Sequence, residues 1–83
     1  MIDKKKLPDW IKETPNREKA LIIAILQEYV ERSTIDLTAY ALNITPYLCY
    51  EYTNKLCQCG LLDIGPDGYL LKPEYTREED HEF

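Results

Sequence analysis

Two helix boundaries separated by a single residue constrain the fold of this chain more than any other feature of its sequence. Leu42-Asn43 ends one amphipathic segment, because asparagine tolerates the left-handed backbone conformation that often follows a helix. Thr45-Pro46 begins the next segment, with a capping hydroxyl followed by proline at the first helical position. Two helices joined by about three residues must turn sharply against each other, so the sequence predicts a helix-turn-helix.

A longer helix is predicted before this pair, from Thr14-Pro15 to about Arg32. Its apolar residues fill an arc of roughly 200° on a helical wheel, which is wider than the ~100° that faces a single core. Leu21 lies at one rim of the arc, and Ile23 and Val30 lie at the other. One rim is therefore expected to lie outside the monomer core and to form a homodimer interface.

The remaining elements follow from capping and turn residues. Ser33-Thr34-Ile35-Asp36 is typical of a capping box and predicts the start of the second helix. The third helix is predicted to end at about Cys59, before Gly60. Strand-like runs follow at residues 61–64 and 69–72, around a turn sequence with glycine at both ends. The expected fold is mainly α with a small β-hairpin.

Charge divides the 83 residues unevenly. Residues 1–19 carry six bases and four acids, residues 20–72 three and six, and residues 73–83 one and five. We therefore expect a basic N-terminal arm over residues 1–13, one domain over residues 14–73, and an acidic, frayed tail over residues 74–83. The net charge of −5 has the wrong sign for a protein that coats nucleic acid without sequence preference.

Several function classes find no support in the sequence. Three cysteines within one helix do not make a disulfide framework, which favours the reducing cytoplasm. Cys57 and Cys59 point about 200° apart on a helix, and the single histidine is His81 in the tail, so no metal site is expected. No phosphate loop and no paired nucleophile and base are present, so we expect neither an enzyme nor a cofactor. The longest apolar run, residues 20–26, is too short to cross a membrane.

The order of the elements resembles that of the winged helix-turn-helix family of small prokaryotic and phage transcriptional regulators. The residues that carry the resemblance are Leu42-Asn43-Ile44-Thr45-Pro46, Leu56, Gly60-Leu61-Leu62 and the segment from Gly65 to Tyr69. Asn43 stands where the family usually has glycine. The resemblance implies a three-helix core, a hairpin that serves as the wing, and a third helix that lies in the major groove of duplex DNA.

Under this resemblance, the exposed residues of the third helix and the lysines near it are the candidate DNA contacts. Asn54 and Gln58 lie four residues apart on one face, and amides can pair with adenine edges. Tyr47 and Tyr50 carry hydroxyls that can donate to phosphates. The full set is Thr45, Tyr47, Tyr50, Asn54, Lys55 and Gln58 on the third helix, Lys4, Lys5 and Lys6 in the arm, and Lys72 at the base of the wing. A homodimer would double these contacts on two half-sites.

A second function stays open, in which the winged helix docks a protein and not DNA, as an adaptor or antirepressor of phage or plasmid type. A protein that neutralises about 6–10 phosphates needs a matching number of basic side chains. The third helix offers Lys55 against Glu51, and the wing tip carries Asp67. Because tyrosine is enriched and lysine depleted at protein interfaces, the tyrosine-rich third helix is the expected docking element.

Overall fold

A computed structural model describes residues 2–76 of the chain. Four α-helices are followed by an antiparallel two-stranded hairpin, which confirms the expectation of a mainly helical chain with a small hairpin. The elements in chain order are a 3₁₀ turn Lys4–Lys6, α1 Asp9–Lys12, α2 Asn16–Glu28, α3 Ile35–Leu42, α4 Pro46–Gln58, β1 Leu62–Gly65, β2 Gly68–Leu71 and a 3₁₀ turn Pro73–Tyr75. The first, second and third helices of the sequence prediction correspond to α2, α3 and α4.

The connection between α3 and α4 has the predicted chemistry. Asn43 adopts a left-handed conformation, with φ 56° and ψ 45°, and its amide donates to carbonyls in the last turn of α3. The Thr45 hydroxyl accepts a hydrogen bond from the Leu48 amide at 3.2 Å, and Pro46 opens α4. The short link holds α3 and α4 against each other, as the sequence predicted.

Two predicted helix starts are wrong by one residue. The cap of α3 is Thr34, whose hydroxyl accepts from the Leu37 amide, and Ser33 pairs with the hairpin instead. At the start of α2, Pro15 is the capping residue and has no side-chain bond to offer. The Thr14 hydroxyl donates to the Trp10 carbonyl at 2.6 Å, so it closes α1 and does not open α2.

Helix α2 ends at Glu28, four residues before the predicted end at Arg32, because the residues after Glu28 form backbone hydrogen bonds with the hairpin. The Leu71 amide donates to the Tyr29 carbonyl at 2.6 Å. Ser33 and Tyr69 exchange two backbone hydrogen bonds, of 3.0 Å and 2.7 Å. These long-range bonds replace further helical turns, so Val30 lies beyond α2 and not on its apolar arc.

The hairpin extends over both glycines of the predicted turn. Gly65 and Gly68 pair across the strands, which leaves a two-residue loop between them. Gly68 has φ 130°, and a Cβ there would collide with the backbone carbonyl of Ser33. The Arg32 guanidinium covers Gly65 and donates to the Gly68 carbonyl at 3.1 Å. Gly68 is therefore required by the close approach of the Ser33 and Thr34 backbone, whereas a Cβ at Gly65 would meet only the end of the flexible Arg32 side chain.

The core lies between α2, α4 and the hairpin and includes both ends of the described chain. Its most deeply buried members are Ile11, Ile22, Ile25, Leu26, Tyr29, Leu56, Leu61 and Leu71. Ile2 and Leu7 are also buried, at 2% and 5% exposure. Burying one such side chain stabilises a fold by roughly 1.5–3 kcal/mol.

Residues 2–13, most of the predicted basic N-terminal arm, thus pack on the domain, because their apolar side chains complete the core. The opposite end is held in the same way. Thr76 is buried and forms an antiparallel bridge with Ile2, and the Asp3 amide donates to the Tyr75 carbonyl at 2.8 Å. The predicted fraying at residue 74 does not describe residues 74–76. Residues 77–83 of the predicted tail lie outside the described residues.

Candidate interaction surface

Helix α4 presents one buried and one exposed face. Helical spacing predicts Cys49, Thr53 or Tyr52, Leu56 and Cys59 on the inner side, but Cys59 is exposed because α4 ends at Gln58. Cys49, Thr53 and Leu56 point inward and are at most 1% exposed. The candidate contacts on the opposite side are all exposed, namely Tyr47, Tyr50, Asn54, Lys55 and Gln58. The inner face is fixed by the Tyr29 hydroxyl, which contacts the Thr53 hydroxyl at 2.9 Å and the Cys49 Sγ at 3.8 Å.

The first turns of α3 and α4 and the hairpin enclose an open groove of about 600 Å³, which we call the tyrosine groove. Its walls are Thr34, Ile35, Asp36, Pro46, Tyr47, Tyr50, Ile64, Gly65, Pro66, Gly68 and Tyr69. Three large apolar side chains in it are exposed to solvent: Tyr47 at 71%, Ile64 at 69% and Tyr50 at 52%. Exposed apolar side chains that share one concave surface mark a binding site more than scattered ones do.

The charges around the tyrosine groove are negative. Asp36 is the one charged residue in its lining, and Asp67 sits at the hairpin tip between Pro66 and Gly68. The Glu51 carboxylate, one turn along α4, acts on the Tyr47 hydroxyl and raises the pKa of Tyr47. The Arg32 guanidinium lies beside Gly65 and Gly68 of the lining, where it is engaged with the hairpin backbone. An anionic ligand such as a phosphate chain meets no cation among the residues that line this groove.

Lys4 of the N-terminal segment lies on another side of the molecule. Lys4 lines a groove with Lys19, Ala20 and Ile23 of α2. Ala20 and Ile23 lie about 140–200° around α2 from Glu18, which faces α4 through a 2.6 Å hydrogen bond from the Tyr52 hydroxyl. The structure therefore does not bring Lys4 together with the exposed face of α4. Lys5 and Lys6 are exposed on the same 3₁₀ turn as Lys4.

The second half of α4 is adjacent to α1. Trp10, Lys55, Gln58 and Cys59 line a shallow depression of about 380 Å³. The Lys55 ammonium lies 5.7 Å from the centre of the Tyr52 ring, within the range of a cation–π contact. Lys55 and Gln58, two of the residues expected to contact DNA, are thus next to the indole ring of Trp10, at the end of α4 away from the tyrosine groove.

Two further candidates have structural tasks. The Thr45 hydroxyl caps α4 through the Leu48 amide, and this uses its acceptor oxygen. Lys72 is half-buried at the base of the hairpin, where its amide donates to the Leu61 carbonyl at 3.1 Å. Neither lies in the lining of the tyrosine groove.

The proposed dimer residues do not form one surface. Leu21, Ile23 and Val30 are each half-buried and contact the core cluster. Ile23 lines the groove beside Lys4, whereas Val30 lies after the end of α2 with Gln27, Glu28 and Glu31. The apolar arc of α2 is wider than one core requires because the N-terminal segment also packs against part of this helix.

Sequence reasoning missed Ile64, Trp10, Leu37 and Tyr40 as surface features. Ile64, in the predicted strand-like run of residues 61–64, is the clearest case, with an exposure of 69%. Leu37 and Tyr40 are 63% and 88% exposed on α3. The only available signal was the surplus of apolar residues in a chain too short to bury them all.

The cysteines and carboxylates offer no metal site in the described part of the chain. Cys49 is buried, Cys57 half-buried and Cys59 exposed, and all three are free thiols. Burial raises the pKa of the Cys57 thiol, which lowers its reactivity. Within residues 2–76, no three His, Cys, Asp or Glu side chains come together as metal ligands do. His81 lies outside these residues.

Comparison with protein-family models, curated proteins and solved structures gives no match to this chain. Its function must therefore be argued from its own surfaces. Across residues 2–76, no helix has both the length and the apolar character that a bilayer span requires.

Proposed function

We propose that this chain is a winged-helix module that docks a protein partner through the tyrosine groove. The observation that carries the proposal is the lining of that groove, where Tyr47, Tyr50 and Ile64 are exposed and no basic side chain is present. Interfaces concentrate their affinity in a few aromatic and aliphatic anchors of this kind.

The winged-helix interpretation is supported by the way the hairpin is attached. Ser33, just before α3, forms an isolated antiparallel β-bridge with Tyr69 of β2. This bridge adds one residue of a third strand beside the hairpin. This pairing holds the hairpin next to the first turn of α4, where Tyr47 and Ile64 share one groove. A wing beside the third helix of the core is the arrangement that the sequence resemblance implies.

The rim of the groove indicates the chemistry of the partner. Asp36, Glu51 and Asp67 surround an apolar floor, so a partner segment with an apolar anchor and basic flanking residues is the complementary one. Such charges mainly select the partner and speed its association, while the anchors supply affinity. Truncating a hot-spot tyrosine costs roughly 2 kcal/mol, or about 30-fold in Kd.

DNA binding is the second candidate, and one observation favours it. Asn54, Lys55 and Gln58 are exposed together on the second half of α4, where they are free to reach base edges. The charge count opposes it, since residues 35–71 hold four carboxylates and one lysine. A protein that binds duplex DNA through α4 needs cations for about 6–10 phosphates. Helix α4 supplies one cation, and a dimer would supply two.

A salt series on random duplex DNA separates the two candidates. We expect no binding by the full chain at low salt, measured by fluorescence anisotropy. Binding that weakens steeply with salt, and whose slope flattens when Lys55→Gln is introduced, would overturn the docking proposal in favour of DNA. A slope change of about 0.7–0.9 per lost phosphate contact is the size to look for.

Photo-crosslinking then tests the groove directly. A photoreactive phenylalanine analogue at position 64 should form a protein adduct in the native cells, and the same analogue at position 13, on the exposed end of α1, should not. The partner identified in this way should bind the purified chain, and Tyr47→Ala should raise its Kd at least tenfold. Gln58→Ala is the matched control on α4 and should leave that Kd unchanged.

A further inference from the structure

The hairpin has one edge that the fold does not use. On the other side of the sheet, Ser33 and Tyr69 exchange two backbone hydrogen bonds, of 3.0 Å and 2.7 Å, so the backbone groups of Tyr69 point away from β1. Bonded and non-bonded pairs alternate along an antiparallel ladder. Ile64 stands opposite Tyr69, and its N–H and C=O are therefore turned away from β2, onto the outer edge of β1.

A second bond confirms this alternation. The Leu71 amide donates to the Tyr29 carbonyl at 2.6 Å, so Leu71 also turns away from its β1 partner, Leu62. Within residues 2–76, no hydrogen bond from outside the hairpin reaches the N–H or C=O of Ile64. Ile64 is exposed, so both groups are open to a strand from another molecule.

This edge borders the tyrosine groove. The side chains of Ile64 and Tyr69 lie on one face of the hairpin, because the two residues are opposite each other, and both line the groove. A residue that bridges to Ile64 from outside places its own side chain on the same face. The residues before and after it point to the other face, where Asp63 is exposed.

Charge indicates the kind of strand that fits. Asp63 and Asp67 are exposed on the hairpin, and Asp36 lines the groove. A second copy of the chain would bring the same carboxylates to the shared edge, and each copy has a net charge of −5. Like charges in neighbouring strands destabilise their pairing. The complementary occupant is an extended segment of another protein, with an apolar residue at the bridge and a basic residue on each side of it.

We propose that the partner of the tyrosine groove binds as such an extended segment and adds to β1 at Ile64. One partner residue donates to the Ile64 carbonyl and accepts from the Ile64 amide, as Ser33 does with Tyr69 on the other side of the sheet. The inference rests on the proposed docking at the tyrosine groove, and it adds the binding mode and the basic–apolar–basic pattern of the partner.

Edge-selective peptides test the proposal on the full-length ¹⁵N-labelled chain. The probe is a seven-residue peptide that alternates lysine and valine, with lysine at both ends. In an extended strand the valine amides face one edge and the lysine amides face the other. N-methylation of the three valines should raise the Kd about tenfold or more, because it removes the donors that face β1. N-methylation of three lysines is the matched control and should leave the Kd within about twofold.

Hydrogen exchange at the Ile64 amide reports the bridge itself. A saturating concentration of the unmethylated peptide should slow this exchange about tenfold or more. The amide shifts of Tyr47 and Tyr50 report occupation of the groove, independently of the bridge. A peptide with glutamate in place of every lysine should produce neither effect.

Four results would overturn the proposal. Shifts at Tyr47 and Tyr50 without slower exchange at Ile64, or equal binding of the two methylated peptides, would exclude the bridge but leave docking at the tyrosine groove intact. Equal binding of the glutamate peptide would exclude the basic pattern. Exchange at Ile64 that slows with rising concentration of the chain alone would make a second copy the occupant of the edge.

The fourth result is the absence of any shift at Tyr47, Tyr50 and Ile64 with millimolar lysine–valine peptide. Failure of docking itself is read separately, from the crosslink at position 64, so the two proposals can fail independently.

Discussion

The hydroxyl of Tyr29 lies 2.9 Å from the hydroxyl of Thr53 at the centre of the core, where it joins the end of α2 to the middle of α4. Both side chains are at most 1% exposed. Burial is the main cause that raises the pKa of Tyr29 far above its ordinary value, so the phenol stays neutral and able to donate.

This pair predicts a coupled effect on stability. Tyr29→Phe should lower the free energy of unfolding by about 1–2 kcal/mol, because it leaves the Thr53 hydroxyl without its tyrosine partner. Thr53→Val should cost a similar amount. The double variant should cost less than the sum of the two, and urea denaturation of all four proteins measures the difference. Additive costs would show that the contact contributes nothing.

Two glycines with positive φ should respond differently to alanine. Gly60→Ala, at φ 85° with open space around it, should cost about 1 kcal/mol. Gly68→Ala should cost about 3 kcal/mol or more, because the new Cβ would collide with the Ser33 backbone and break the bridge to Tyr69. Urea denaturation compares them, and equal costs would contradict the close approach of residues 33–34 to the hairpin.

The hydrogen bond from Tyr52 to Glu18 predicts an alkaline loss of stability. The Glu18 carboxylate accepts from the Tyr52 hydroxyl at 2.6 Å, and it raises the pKa of Tyr52 to about 12 from its ordinary value of 10.0. The unfolded chain therefore releases this proton first as the pH rises. The bond contributes fully below about pH 10, and its contribution is lost between about pH 10 and 12.

Denaturation of wild type and Tyr52→Phe at pH 8 and above pH 11 measures this effect. The stability difference between the two proteins should shrink at the higher pH. Glu18→Gln keeps an acceptor but removes the charge, so it should also shrink the pH dependence that belongs to Tyr52. A constant difference between wild type and Tyr52→Phe would exclude the hydrogen bond as the cause.

The N-terminal segment is predicted to be part of the folding unit. Leu7→Ala should cost about 2–4 kcal/mol, as expected for a large side chain that is 5% exposed in the core. Lys6→Ala, the exposed neighbour, should stay within about 0.5 kcal/mol of wild type. Thermal or urea unfolding compares the two. Equal stability of both variants would show that residues 2–7 do not contribute to the core.

The tyrosine groove should be separable from stability. Tyr47→Ala and Ile64→Ser remove side chains that are about 70% exposed, so each should change the free energy of unfolding by about 0.5 kcal/mol or less. Circular dichroism with urea denaturation measures this. A loss of more than about 2 kcal/mol in either variant would mean that these residues support the fold, and their exposure would then carry no argument for docking.

Local sequence signals determined the helix-turn-helix and the presence of a hairpin. Asn43, Thr45 and Pro46 act within one turn of the chain, through backbone conformation and a single capping bond, so their effect can be read without knowledge of distant residues. Most of the inner side of α4 was also predictable, because Cys49 and Leu56 recur at helical spacing, although Cys59, which follows the same spacing, is exposed after the last helical turn.

Tertiary structure decided everything that depends on distant partners. Helix α2 stops at Glu28 because the backbone of Tyr29 and Ser33 bonds to the hairpin about forty residues away. Lys4 lies on the opposite side of α2 from α4 because its neighbours Ile2 and Leu7 are buried in the core. Ile64 is exposed because β1 has a solvent-facing side. Hydrophobic burial is non-directional, so a sequence pattern shows which residues seek a core but not which of them the folded chain has room to bury.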